Sequence, residues 1–210
     1  MNDFDSKKHW EHIYTTKALN EVSWYQPVPS TSLHFLEQFN IPKTAKIIDV
    51  GGGDSFFVDH LLDLGYQNIS VLDISSAALE RAQQRLGDKA TKVNWIVTDA
   101  TTFQTTERYD FWHDRAAFHF LTQEAAINQY VHILNEHIKP GGILVLGTFS
   151  EQGPKKCSGI DIKQYSEASM TETMAPYFDK INCMTVAHAT PFDTLQHFIF
   201  CSFRKNNNCI

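Results

Sequence analysis

Residues 46–55, Lys46-Ile47-Ile48-Asp49-Val50-Gly51-Gly52-Gly53-Asp54-Ser55, constrain the fold more than any other stretch. An apolar, β-branched run leads straight into consecutive glycines, and a helix-forming segment from Phe56 to Leu64 follows. Strand, tight turn and helix amino terminus, in that order, make the setting in which a glycine loop cradles a nucleotide. A second apolar run, Ile69-Ser70-Val71-Leu72, ends on Asp73. An acid at that place can accept hydrogen bonds from both ribose hydroxyls of a nucleoside. The loop spacing tells nucleotides apart. A dinucleotide loop needs a small residue at its sixth position, so that the helix packs closely on the strand. Counted from Gly51, that position is the bulky Phe56. The spacing reads instead as acid-x-Gly-x-Gly-x-small, over Asp49, Gly51, Gly53 and Ser55.

Strand-like and helical runs alternate around this loop. Helices are predicted over Ser6–Thr16 and Ser30–Phe39 before it, and over Ser76–Leu86 after Asp73. Val93–Val97 reads as a strand closing at Thr98-Asp99-Ala100, and Tyr109–His113 as one closing at Asp114. Ile127, Tyr130, Val131, Leu134 and Ile138 form the stripe of a helix over Gln123–Ile138. Pro140-Gly141-Gly142 stops it, and Ile143–Gly147 reads as a buried strand. Met170, Met174 and Phe178 suggest a last helix. Lys180–Val186 and Leu195–Arg204 then follow each other with only a short connection, so they must pair antiparallel. The β-α alternation implies right-handed crossovers. The predicted fold is α/β and doubly wound: a mostly parallel seven-stranded sheet with a C-terminal antiparallel hairpin and an N-terminal helical cap. Residues 1–204 read as a single domain, with the cap over 1–40 and the core over 45–204; residues 205–210 read as a disordered tail.

Doubly wound sheets bind ligands beyond the carboxyl ends of their strands. Asp49, Asp73, Asp99 and Asp114 each fall near such an end. Any one of them is more simply a helix cap or a turn residue; four at one edge need another explanation. The glycine loop, the four acids and the terminal hairpin together resemble the class I, seven-β-strand S-adenosylmethionine-dependent methyltransferases, whose core is Rossmann-like. The resemblance spans Lys46 to Arg204, with Trp10 to Pro29 as a lid. It implies S-adenosylmethionine as cofactor and S-adenosylhomocysteine as product. By that resemblance Gly51 and Gly53 approach the methionine part, and Asp49 organises the loop from beneath. Asp73 holds the ribose and Ile74 packs on the adenine. Asp99 accepts from the adenine amino group, and the Ala100 backbone reads the neighbouring ring nitrogen. His113 and Asp114 lie near the transferable methyl.

The segment Asp114-Arg115-Ala116-Ala117-Phe118-His119 occupies the family's fourth motif. It is similar both to thiopurine-type small-molecule methyltransferases and to seven-strand protein lysine methyltransferases, with Ala116 where those carry glycine. Asp114, Arg115 and His119 are the candidate catalytic residues, with His119 able to take a proton if its imidazole has an ordinary pKa. Trp24 and Tyr25 can close over the cofactor or cage an ammonium group; packing of the cap by Trp10, Tyr14 and Trp24 is an equal alternative. Thr148–Gly159, the longest irregular stretch, is a candidate acceptor loop.

Composition narrows the partners. A net charge of −6 over 210 residues argues against nucleic acid and suits a cationic acceptor such as lysine. No apolar run approaches the ~18 residues of a membrane span. The four cysteines show no C-x-x-C and read as the reduced thiols of a cytoplasmic protein. None of the ten histidines has metal-ligand spacing, so no metal is expected. The reading is a methyltransferase acting on a nitrogen or sulfur nucleophile, with oxygen less favoured, on a small molecule or a protein lysine. Two rivals remain at this point: a nicotinamide-dependent oxidoreductase, and an inactive nucleoside-binding scaffold.

Overall fold

A computed structural model describes residues 4–207. Helix α1 (Ser6–Thr16) begins at Asp5, whose carboxylate accepts from the Lys8 amide at 2.9 Å. Helix α2 (Ser30–Gln38) precedes strand β1 (Lys46–Val50), and α3 (Phe57–Asp63) leaves the glycine loop. Then come β2 (Asn68–Asp73), α4 (Ser76–Leu86), β3 (Val93–Val97) and β4 (Tyr109–Arg115). Helix α5 (Glu124–His137) runs directly into β5 (Ile138–Phe149). A small hairpin, β6 (Lys156–Cys157) with β7 (Ile160–Asp161), is followed by α6 (Glu167–Met174), β8 (Phe178–Ala189) and β9 (Leu195–Lys205).

The seven-stranded sheet has the order β3-β2-β1-β4-β5-β9-β8. All pairs from β3 to β5 are parallel, whereas β9 runs antiparallel between β5 and β8. Strand residues alternate between two apolar layers, as period-two side chains must when both faces are covered. Ile47, Phe111 and Val145 face the layer that holds Phe35, Phe57 and Leu79 of α2, α3 and α4. Ile48, Trp112 and Leu144 face Tyr130 and Leu134 of α5 and Met170 of α6. Each such fully buried side chain contributes roughly 1.5–3 kcal/mol. The order reverses at β1, which pairs β2 on one side and β4 on the other. That reversal opens the crevice where the site lies.

Four expectations are corrected. Pro140-Gly141-Gly142 does not precede β5 but lies inside it, where the β4–β5 register shifts between Tyr109↔Ile138 and Phe111↔Ile143. Phe178 opens β8 rather than closing α6. Thr148 and Phe149 finish β5, and part of the expected loop folds into the β6–β7 hairpin. Lys205 belongs to β9, opposite Phe178, so the tail starts later; residues 208–210 lie outside the described residues.

The cysteines need a fifth correction. Cys183 and Cys201 form a disulfide between β8 and β9, and Cys157 is a buried free thiol. The hairpin register sets Cys183 directly opposite Cys201, which no spacing rule revealed. Cys209 lies outside the described residues. Among the described residues no helix is long and apolar enough to cross a membrane.

Candidate active site

The cavity is an open cleft beyond the carboxyl ends of β1, β2 and β4. The loop after β1 builds its floor. Gly51 and Gly52 both donate to the Leu72 carbonyl, at 2.8 and 3.2 Å, which ties the loop to β2. Gly51 has φ +65°, and a Cβ there would stand 2.4 Å from the Ala117 Cβ. Gly53 has φ +49°, and a Cβ there would stand 2.6 Å from the Tyr14 hydroxyl. Both positions therefore require glycine on two grounds, left-handed backbone and close approach. Ser55 is not at positive φ; its hydroxyl accepts from the Phe57 amide at 3.0 Å and helps start α3. Phe56 lies under the Arg85 guanidinium, 4.5 Å from ring to charge, which gives its bulk a place.

One half of the cleft is walled by Asp73, Ile74, Asp99, Ala100 and Leu121. Asp73 is buried, and its Oδ1 accepts from the Ser75 amide at 2.9 Å. Burial pushes its pKa up to about 7, with the nearby Asp54 and Asp49 adding to the rise against the Ser75 and Gly53 amides. Asp99 turns Oδ1 to the amide and hydroxyl of Thr101, both at 2.7 Å.

In the other half stand Trp24, Ser32, Asp49, His113, Arg115 and Cys157. His113 bridges two elements: Nδ1 meets Asp49 Oδ1 at 2.7 Å and Nε2 meets the Ser32 hydroxyl at 2.8 Å. Both of its nitrogens are spent on joining α2 to β1. Arg115 donates to the Trp24 carbonyl at 3.2 Å. Burial lowers its pKa to about 10, so it stays charged at neutral pH. Burial pushes the Cys157 thiol up to about 11, which keeps it protonated and poorly nucleophilic. Trp10 closes the roof, with ring centroids 5.0 Å from Phe120 and 5.8 Å from Trp24.

Two expected catalytic residues are not brought into this cavity. Asp114 is fully buried, with Oδ1 accepting from the Ala117 and Phe118 amides (3.1 and 3.0 Å) and Oδ2 from the Tyr130 hydroxyl (2.7 Å). It braces the turn from behind. His119 is also fully buried; its Nδ1 accepts from the Phe149 amide at 3.3 Å. Burial, with the Arg115 charge, drives its pKa down to about 3, so it holds no proton at neutral pH. The ordinary imidazole expected of it does not exist here. Gly53 does not open on the cavity either, because Tyr14 covers it. Tyr25 stacks edge-on against Phe56, 6.0 Å away, rather than on the cavity.

Sequence reasoning missed Glu11, Ser32 and the role of Tyr14. The signal for α1 was present in the Trp10-Glu11-x-x-Tyr14 spacing, which places Trp10 and Tyr14 on one helical face. Among the described residues no group of His, Cys, Asp and Glu gathers to hold a metal.

Comparison with known proteins agrees with this geometry. Residues 47–142 match the methyltransferase domain family. The structure superposes on the N-methyltransferase NodS from Bradyrhizobium japonicum, in complex with S-adenosylhomocysteine, with a TM-score of 0.72 at 15% identity, covering 96% of this chain and 99% of that one. The fold is that of the class I S-adenosylmethionine-dependent methyltransferases. Malonyl-[acyl-carrier protein] O-methyltransferase 2 of Ilyobacter polytropus is 27% identical over half of this chain (50%), and the match spans 39% of that protein. EEF1A lysine methyltransferase 2 of Danio rerio is 26% identical, over 67% of each chain. The fold's cofactor fits the residues present, since a buried carboxylate, apolar walls and a glycine floor converge on one cleft.

Proposed function

We propose that this chain transfers the methyl group of S-adenosylmethionine to a nitrogen or sulfur nucleophile, carried by a small molecule or by a protein lysine side chain. In this reading Asp73 receives the ribose hydroxyls. Ile74 packs on the adenine, Asp99 takes its amino group on Oδ2, and the Ala100 amide meets the ring. Asp49 steadies the loop through His113, Gly51 lies under the methionine part, and Trp24 closes over it. When bound, S-adenosylmethionine supplies a sulfonium whose methyl is already activated for in-line displacement.

The chain's own residues then orient, desolvate and exclude water. The observation that carries the choice of acceptor is that the half around Arg115 offers no free imidazole or thiolate, and that its carboxylate, Asp49, is tied to His113. Both His113 nitrogens are engaged, and Cys157 is held protonated. A hydroxyl would need a base there. A neutral amine or a sulfur nucleophile would not, and the Arg115 charge favours both by lowering their pKa values. The nitrogen chemistry named for NodS and for the lysine methyltransferase supports this reading; the O-methyltransferase relative is the exception.

Calorimetric titration with S-adenosylhomocysteine, with NAD as control, tests the cofactor. Acceptor panels of amines, thiols, alcohols and lysine peptides, read by S-adenosylhomocysteine release, test the rest. Binding of NAD alone would overturn the assignment. Turnover of alcohols in preference to amines and thiols would overturn the acceptor class.

A further inference from the structure

Helices α1 and α4 cap each other. Glu11 reaches from α1 to the amino end of α4, where both of its oxygens are occupied. Oε1 accepts from the Ser76 amide at 2.8 Å and the Ser76 hydroxyl at 2.9 Å. Oε2 accepts from the Ser75 hydroxyl at 2.9 Å and the Ala77 amide at 3.1 Å. In return Arg81 of α4 reaches the carboxyl end of α1. It donates to the Tyr14 and Lys17 carbonyls at 3.0 and 2.8 Å, and its second nitrogen meets Asp54 at 3.0 Å. An anion on the free amides of one helix and a cation on the free carbonyls of the other are the placements that the two helix dipoles favour.

What each helix carries makes this more than a surface contact. The amino end of α4 follows directly on the ribose acid, and the Ser75 amide donates to Asp73 Oδ1. The residue whose hydroxyl Glu11 holds therefore also orients Asp73. On α1, Trp10 and Tyr14 line the cavity on either side of Glu11. The Tyr14 hydroxyl and Asp73 Oδ2 lie 2.6 and 3.3 Å from one point, where a Gly53 side chain would begin. One carboxylate thus joins the roof of the Asp73 half to its floor.

We infer that Glu11 is a positioning residue for the cofactor: it fastens α1 to the Asp73–Ser75 turn, so that Trp10, Tyr14 and Asp73 are presented to the cofactor as one preformed surface. It touches no reacting atom. The inference rests on S-adenosylmethionine occupying this cavity. Without the Glu11 contacts α1 is docked for only part of the time, and the apparent affinity falls by that fraction. Coupling is reciprocal, so bound cofactor restores docking of α1.

The test is S-adenosylhomocysteine affinity by calorimetry, with hydrogen exchange of residues 6–16, on the full chain and three variants. Glu11→Ala is expected to weaken binding about tenfold, a docked fraction of about one tenth. Its α1 amides should exchange faster in the free protein and regain protection at saturating ligand. Glu11→Gln, which keeps an acceptor oxygen, should fall between the two. Ser76→Ala removes one of the four bonds without touching the Ser75 cap and should weaken binding two- to threefold; it carries the test if Glu11→Ala fails to fold. Unchanged affinity in a folded Glu11→Ala or Ser76→Ala chain overturns the inference, as does faster α1 exchange that ligand does not reverse. A wild-type chain that binds no S-adenosylhomocysteine overturns the cofactor reading and this inference with it.

Discussion

Two aspartates lie at the carboxyl ends of the strands that flank β1, yet their oxygens are used differently. Asp73 closes β2 and Asp114 lies one residue from the end of β4; both are buried, and burial raises both pKa values, to about 7 and about 6. The difference lies in where their oxygens go. Asp73 gives one oxygen to the Ser75 amide and turns the other toward Gly53. Asp114 spends both, on two amides and the Tyr130 hydroxyl. In the proposed reading a strand-end acid binds only when its hydrogen-bonding capacity is left unspent. Otherwise it is a brace.

Substitution should separate the two first. Asp114→Ala leaves three buried donors without a partner and should lower stability by about 3–5 kcal/mol in urea unfolding. Asp73→Ala also strips the Ser75 amide of its acceptor, but it removes a carboxyl whose raised pKa opposes folding once ionised, so at pH 8 it should cost the free chain much less than Asp114→Ala does. The main effect of Asp73→Ala belongs to binding: a loss of about 1–3 kcal/mol, or roughly five- to 150-fold in S-adenosylhomocysteine affinity. Comparable stability losses in both variants would erase the distinction.

The pH dependence of binding follows next. In the proposed complex the ribose hydroxyls donate to the charged Asp73 carboxylate, which should lower its pKa below the value of about 7 in the free chain. Binding below that pH therefore releases a proton. Affinity should climb from pH 6 toward 7, by at most about tenfold per unit, and level off by pH 8. Calorimetry in buffers of different ionisation enthalpy reads the released proton, and Asp73→Asn should abolish it. A flat profile in the wild type would sink the assignment. For stability the sign is reversed. Both raised carboxyls favour the folded chain when protonated, so the stability of the free chain should fall as pH rises from about 4 toward 7.

The smallest effect concerns the turn that Asp114 braces. Ala116 sits at φ +65°, a conformation that glycine adopts without strain. Ala116→Gly should stabilise the chain by about 0.5–1 kcal/mol in urea unfolding. No gain in urea unfolding would remove backbone strain from the description of this turn.

Most of the fold was legible because its signals are local. The stripes of Ser76–Leu86 and Ile127–Leu134 fix a period, and the period fixes the helix. The place of the cleft was legible for a similar reason: a glycine loop, then an acid at the next strand end. What stayed hidden depends on partners far away in the chain. The Cys183–Cys201 pairing is set by hairpin register, and that register shifts between Lys180 and Asn182. The spent oxygens of Asp114 depend on Tyr130, one element away. The low pKa of His119 depends on burial that periodicity does not report. Glu11 pairs with residues more than 60 positions later, and no motif rule connects them.

The place of β9 carries a consequence for biosynthesis. The strand made last among the nine is not at the margin of the sheet but between β5 and β8. A nascent chain that has emerged only as far as Ala189 exposes the open side of β5 and has nothing to hold β8 in place. Pairing of these two strands must wait for Leu195–Lys205 to leave the ribosome. Until then an unpaired hydrophobic strand edge stands free, and that interval is when the chain is most open to mispairing.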